Sequence, residues 1–182
     1  MNIRIYLIMC TALLLGCEKH NESWPNANQL ILFQVEYNNY AWGYDHRGII
    51  IDSSGTVRSF TFPENWHHPD TEGYLSESDM NENIEQLDTG MFSIDKNELF
   101  KHFSKLQRIS EGELSEPKNT ANDAGETDFS GYLYDLSKKQ YKHVLIKREG
   151  DWSIDNNAPD AEEVIRWLMK VYLDQRRHNM AM

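Results

Sequence analysis

From Leu30 to Tyr37, the apolar Ile31, Phe33, Val35 and Tyr37 alternate with Leu32, Gln34 and Glu36. That two-residue period predicts a strand with one strongly apolar face. Gly48-Ile49-Ile50-Ile51-Asp52 and Thr56 to Phe62 flank Asp52-Ser53-Ser54-Gly55, a composition that favours a tight turn and so a β-hairpin. Phe129 to Leu136 and Tyr141 to Arg148 form a second pair of β-prone runs, around Ser137-Lys138-Lys139-Gln140. Between these blocks the period changes. Asp95 with Glu98 three residues on resembles a capping box, and Leu99, Phe100, Phe103 and Leu106 then recur at helical spacing, predicting a helix over 95–109. A shorter helix is expected over 79–87. At the end of the chain, Pro159 and the acidic Asp160, Glu162 and Glu163 precede a stripe of Ala161, Val164, Ile165, Leu168, Val171 and Tyr172.

Two strand-rich blocks separated by helices and closed by a carboxy-terminal helix predict the α+β class: an antiparallel sheet built from two hairpin-like blocks, packed on one face by two or three helices. No internal repeat is visible. Two long polar connections, 63–78 and 110–127, interrupt the pattern. Connections of that length inside a compact domain commonly carry function, so they are candidate positions for a site.

The start of the chain obeys a different logic. Met1-Asn2-Ile3-Arg4 is followed by eleven mostly apolar residues, Ile5 to Leu15, and then by Gly16 and Cys17. A basic start, a short apolar run and a small residue at the cut describe a secretory signal. A membrane-spanning helix needs about 20 apolar residues, roughly twice this run. The order Leu14-Leu15-Gly16-Cys17 is a lipobox, and the segment resembles the leader of bacterial lipoproteins. That resemblance implies cleavage after Gly16, diacylglycerol on the Cys17 thiol and acylation of the new amino terminus. Several acyl chains would hold the protein firmly to a bilayer. Glu18 stands where the enteric class places an aspartate for inner-membrane retention, which favours the outer membrane, facing the periplasm.

The resulting organisation is a leader over 1–16, a lipidated cysteine and polar tether over 17–28, one globular domain over 29–176 and a tail over 177–182. Cys10 leaves with the leader and Cys17 carries lipid, so no disulfide is available and the core must stabilise the domain. From Cys17 onward there are 17 Lys and Arg against 29 Asp and Glu, a formal charge of −12. Nucleic acid is excluded as a partner class, because phosphate backbones need a basic footprint.

Candidate chemistry is concentrated in three places. Tyr37, Tyr40, Trp42 and Tyr44 lie within eight residues, interleaved with Asn38, Asn39, Asp45 and His46. Aromatic faces beside amides and a carboxylate suit a protein partner's loop, or a glycan such as a peptidoglycan fragment, though aromatics in strands also simply pack on neighbours. Trp66-His67-His68-Pro69-Asp70 offers two imidazoles. Adjacent side chains in an extended segment point to opposite sides, so His67 and His68 are not expected to share an ion, and Trp66 is read as a loop anchor. Convergence of His46, His102 and His143 in space is open. The third place is the acidic run with Asp123, Glu126 and Asp128, followed by Asp151, Asp155, Asn156, Asn157 and Asp160. Neither stretch has the order of a calcium loop, and turn and capping roles explain them.

Nucleophile motifs are weak. There is no Gly-x-Ser-x-Gly, and the one Ser-x-x-Lys, Ser115 to Lys118, sits in a polar connection. No catalytic residue, metal or cofactor is therefore assigned. The binding candidates are Tyr40, Trp42, Tyr44, Asp45, Trp66, His67, Asp123 and Glu126, with Cys17 as lipid attachment. The expected function is a lipid-anchored envelope binding module, in one specific form an immunity protein or inhibitor against an envelope-acting toxin. The alternative is an envelope hydrolase using carboxylate or histidine catalysis. An assembly factor is the third class.

Overall fold

The structure is a computed structural model that describes Pro25, residues 28–90 and residues 92–180, with side chains as far as Arg177. The leader, Cys17 and most of the tether lie outside the described residues. In chain order the elements begin with β1 (Ile31–Asn39), β2 (Asp45–Asp52), β3 (Thr56–Thr61), β4 (Tyr74–Ser76), α1 (Glu77–Glu85), β5 (Phe92–Ser93) and α2 (Lys96–Phe103). They continue with α3 (Leu106–Ile109), β6 (Lys118–Asn119), β7 (Glu126–Asp135), β8 (Gln140–Gly150), β9 (Trp152–Asp155) and α4 (Ala161–Met180). The nine strands form one sheet in the order β5-β3-β2-β1-β7-β8-β9-β6, with β4 also on β8. All their pairings are antiparallel. The chain is thus α+β.

The larger core lies between one face of the sheet and α2, α3 and α4. Leu32, Phe33, Val35, Ile49 and Ile51 meet Leu99, Phe103, Leu106, Val164, Trp167 and Leu168 there. The strict alternation expected for β1 breaks at its start. The register with β2 shifts between Ile31 and Phe33, so the consecutive Leu32 and Phe33 both join the helix-side core. Ile31 turns to the opposite face, with Ile50, Phe60, Leu75, Met80, Tyr132 and Tyr141. A bulge of this kind adds one residue and reverses the faces on either side of it. Helix α1 and Trp66 cover this second cluster, so the sheet carries apolar surface on both sides.

The helix expected over 95–109 is two helices. The Asp95 carboxylate accepts from the backbone N–H groups of Asn97 and Glu98, which starts α2. The chain then turns at Ser104, whose hydroxyl donates to the Lys101 carbonyl, before α3 begins at Leu106. The two long connections are also shorter than the polarity suggested. The first contains β4 and the beginning of α1, the second contains β6.

Helix α3 crosses β7 at Gly131. A Cβ built there would lie 2.6 Å from Leu106 Cδ2 and 3.2 Å from Phe33 Cδ1. Overpacking a filled core costs about 1–3 kcal/mol. Gly131→Ala is accordingly expected to lower stability by about 2 kcal/mol in urea unfolding, and an unchanged midpoint would show that α3 can shift freely.

Candidate functional site

The β1–β2 connection, residues 40–44, carries aromatic rings that the sheet cannot bury, because both strands end before it. Tyr40 is 71% exposed, Trp42 84%, Tyr44 48% and the neighbouring Phe62 53%. The Tyr40 and Tyr44 ring centroids are 5.4 Å apart and those of Tyr44 and Phe62 6.3 Å. These rings form an aromatic ridge. Gly43, at φ +112, occupies a conformation other residues resist, which lets the chain turn sharply between Trp42 and Tyr44. Tyr37 differs from the rest: it lies flat on the sheet under the Arg47 guanidinium, 4.5 Å from its ring centre, and donates to the Ala124 carbonyl.

Beside the ridge is a hollow of about 300 Å³, bordered by Tyr40, Ala41, Asn38, Gly125, Glu126 and Asp151. Asp123 stands next to it, exposed, at φ 62, with its carbonyl accepting from the Asn39 amide. Its wall is therefore acidic. Asp151 holds the loop in place by accepting from the Ala124 N–H at 2.8 Å. Asp45 pairs with Arg47 through one oxygen, and its other oxygen is buried with no partner among the described residues.

Behind the ridge, on the face away from the three-helix layer, a chain of polar groups enters the protein. The Tyr44 hydroxyl is 2.8 Å from His46 Nδ1, and His46 Nε2 is 2.7 Å from Glu36 Oε1. His46 is fully buried. Glu36 also accepts from the amides of Gln34, at 2.6 Å, and Asn38, at 3.1 Å, while His68 Nδ1 lies 3.6 Å away. Burial pushes the Glu36 carboxyl up, but hydrogen bonding to His46 and the charges of His68 and His46 outweigh it and hold it below the ordinary range. Burial raises Tyr44, with Tyr40 and Glu36 adding to the shift, so its hydroxyl stays protonated.

One residue pair further along the sheet, Arg148 makes two 2.7 Å bonds to the Asp128 carboxylate and a 3.2 Å contact to Glu126. His143 is lowered chiefly by burial, with Asp128 and Glu36 opposing that effect and Arg148 and His68 adding to it.

Trp66 lies over this cluster, stacked on Phe60 at 4.1 Å and edge-on to His46 at 5.7 Å. The two adjacent histidines diverge. His68 stacks on His46 at 5.7 Å, whereas His67 turns to α1, where Nε2 is 2.8 Å from Glu82 and Nδ1 3.8 Å from Asp79. The amide of the buried Asn83 grips both the N–H and the carbonyl of His67 at 2.8 Å each. His67, Asp79 and Glu82 place one donor each within 4.8 Å, and among the described residues this is the group able to hold a metal. His67 and Asp79 are half-buried and Glu82 is exposed, and His67 is already paired with both carboxylates. His46, His102 and His143 do not converge: His102 is on the helix side, stacked on Trp167 at 4.5 Å.

The structure thus brings Tyr40, Trp42, Tyr44, Asp45, Asp123 and Glu126 to one end of the sheet, with Trp66 behind them and His67 apart. Sequence reasoning missed Phe62, Glu36 and Arg148, and it weighed His68, Asp128 and Asp151 within the histidine and acidic stretches without counting them among the binding candidates. Strand alternation puts Glu36 opposite the apolar face, but only the fold shows that residues 63–73 cover it. Of the other acidic residues, Asp160 pairs with Arg108 at 2.7 Å, and the Asn156 amide ties the carbonyls of Ile109 and Leu145. These are structural roles.

No helix among the described residues is long and apolar enough to cross a membrane. No family model matches the chain, and no match is found among curated proteins or solved structures.

Proposed function

We propose that this protein is a lipid-anchored cell-envelope module that acts by binding, with the aromatic ridge Tyr40-Trp42-Tyr44-Phe62 and the acidic hollow beside it as its contact surface. The observation that carries the reading is the exposure of Trp42 and Tyr40 on a connection braced from behind by the Tyr44–His46–Glu36 chain. Rigid aromatic rings lose little entropy on binding and are enriched where interfaces gain their energy. The flanking carboxylates select a partner with basic groups around an apolar centre. An envelope-acting toxin with basic groups around an apolar patch would fit it, this protein then serving as its immunity protein, and a peptidoglycan or other glycan would use the same rings by stacking. The lipobox at Cys17 supplies recruitment, since a tether raises the effective concentration of the domain at the membrane.

A crosslinked pull-down from envelope extract, followed by titration of any hit, identifies the partner. Trp42→Ala is then expected to weaken the complex by about 2–3 kcal/mol with no loss of thermal stability, as for a central anchor. An unchanged Kd would remove the ridge from the interface. Cys17→Ser is expected to abolish palmitate labelling, and a labelled mutant would overturn the anchor.

A second reading, envelope hydrolysis, draws on the convergence of Glu36, His46, His68 and Asp128 on one face. Against it, the Tyr44 hydroxyl is held protonated and Glu36 is saturated with donors, the condition of a structural carboxylate more than of a base facing substrate. Turnover of ester, peptide or glycoside probes that Glu36→Gln abolishes would reinstate it.

A further inference from the structure

Away from the ridge, the edge of the helix-side face holds a cavity of about 330 Å³ between β2, β3 and the end of α4. It is bordered by Arg47, Ser59, Thr61, Tyr172 and Arg176. Two regular elements build it. Arg47 and Thr61 are cross-strand partners, and Ser59 lies two residues along the same strand, so their side chains share one face of the sheet. Tyr172 and Arg176 are four apart on α4 and so lie above one another over that face.

Its charge sets it apart. The chain carries a net charge of −11, and the hollows of about 300, 240 and 210 Å³ elsewhere on the described surface each have more carboxylates than cations on their walls. This one has two guanidinium groups, hydroxyls from three side chains and no carboxylate. Two acids touch its lining residues from outside the cavity: Asp45 pairs with Arg47, and Asp88 accepts from the Ser59 hydroxyl at 2.9 Å. Arg47 leans on the Tyr37 ring, which steadies its plane. A guanidinium has five donors in a planar fork, so one carboxylate partner leaves others for a ligand.

We infer that this cavity is a binding site for a small ligand bearing a phosphate or carboxylate group. Arg47 and Arg176 take the oxyanion from two sides, and the hydroxyls of Thr61 and Tyr172 supply further donors. The volume falls at the lower end of small-molecule sites, which suits a compact anion. A free anion and a lipid headgroup present the same chemistry.

The test uses the full-length, isotopically labelled protein in a neutral detergent, titrated with inorganic phosphate, glutarate and short-chain dihexanoyl phosphatidic acid, with amide resonances recorded at each point. Saturable shifts centred on Ser59, Thr61 and Tyr172 are expected with at least one probe. Arg47→Gln/Arg176→Gln is expected to weaken that binding about tenfold or more, whereas Arg166→Gln, a charge removed from the same helix far from the cavity, leaves it unchanged. Saturation by phosphate or glutarate identifies a free anion, and saturation by the lipid alone identifies a headgroup. Shifts that never saturate, or equal affinity in the double variant with its spectrum still folded, would overturn the site.

Discussion

Phe33→Ala is expected to lower the unfolding free energy by about 3–5 kcal/mol, the range for deleting a buried aromatic ring from a filled core. Phe33 is fully buried and lies where the three-helix layer meets the sheet. Its ring stands edge-on to Trp167 at 5.1 Å and to Phe103 at 6.1 Å, joining α4 and α2 through one side chain of β1. Truncation removes both aromatic contacts, and the neighbours cannot collapse into the space without moving two helices. With no disulfide available to the domain, a loss of this size is a large part of a typical stability of about 5–15 kcal/mol. Urea unfolding of Phe33→Ala and of the milder Phe33→Leu measures it. A loss below about 1 kcal/mol for the alanine variant would mean the helix layer is held elsewhere.

Glu36→Ala is expected to cost about 3 kcal/mol, because it leaves buried donors of His46, Gln34 and Asn38 without their acceptor. Glu36→Gln should also destabilise, since a carboxamide presents an N–H₂ where Gln34 or Asn38 already donates. The same cluster makes stability depend on pH, and the signs agree. Glu36 is depressed in the folded state, so its contribution is present above about pH 4.3, the unfolded carboxyl value, and is lost as pH falls through the folded value. Glu163, held down to about 2 by hydrogen bonds from Lys105 and Lys101, acts in the same window. His143 and His102 are lowered, chiefly by burial, so below about pH 6.5 the unfolded chain takes up protons that the folded one refuses.

Stability should therefore fall in two stages on acidification, first below about pH 6.5 through the histidines and then below about pH 4.3 through the carboxylates. Urea midpoints collected from pH 7.5 to 3.5 follow both stages, and His143→Gln is expected to flatten the first. A wild-type profile that is level between pH 7 and 5 would contradict the lowered imidazoles. Loss of the Glu36–His46 bond would also unbrace Tyr44, so the ridge should become more mobile as the second stage proceeds.

Some of this molecule follows from residue order alone. The stripe from Ala161 to Tyr172, the Asp95 cap and the alternation of β-prone runs are local properties, visible because a helix repeats every 3.6 residues and a strand every two. They sufficed for the α+β class and for a sheet with a helix-covered face. The reading of Cys17 as a lipid attachment point rests on sequence wholly, since a leader is recognised before it ever folds.

What sequence could not settle depended on pairing across long separations. A bulge at Leu32 decided which of two neighbouring apolar residues faced which core, and no period reveals an inserted residue. Glu36 reads as a solvent-facing strand carboxylate until residues 63–73 fold over it, and the 10 to 32 residues between it and His46 or His68 carry no motif. Gly131 and Leu106 meet only because α3 crosses β7. Even His67 and His68, whose divergence follows from the geometry of an extended chain, acquire their partners from α1 and β1. Local propensity wrote the elements, whereas the burial of charge, the exposed ridge and the arginine-bordered cavity arose from how the sheet and its coverings close around one another.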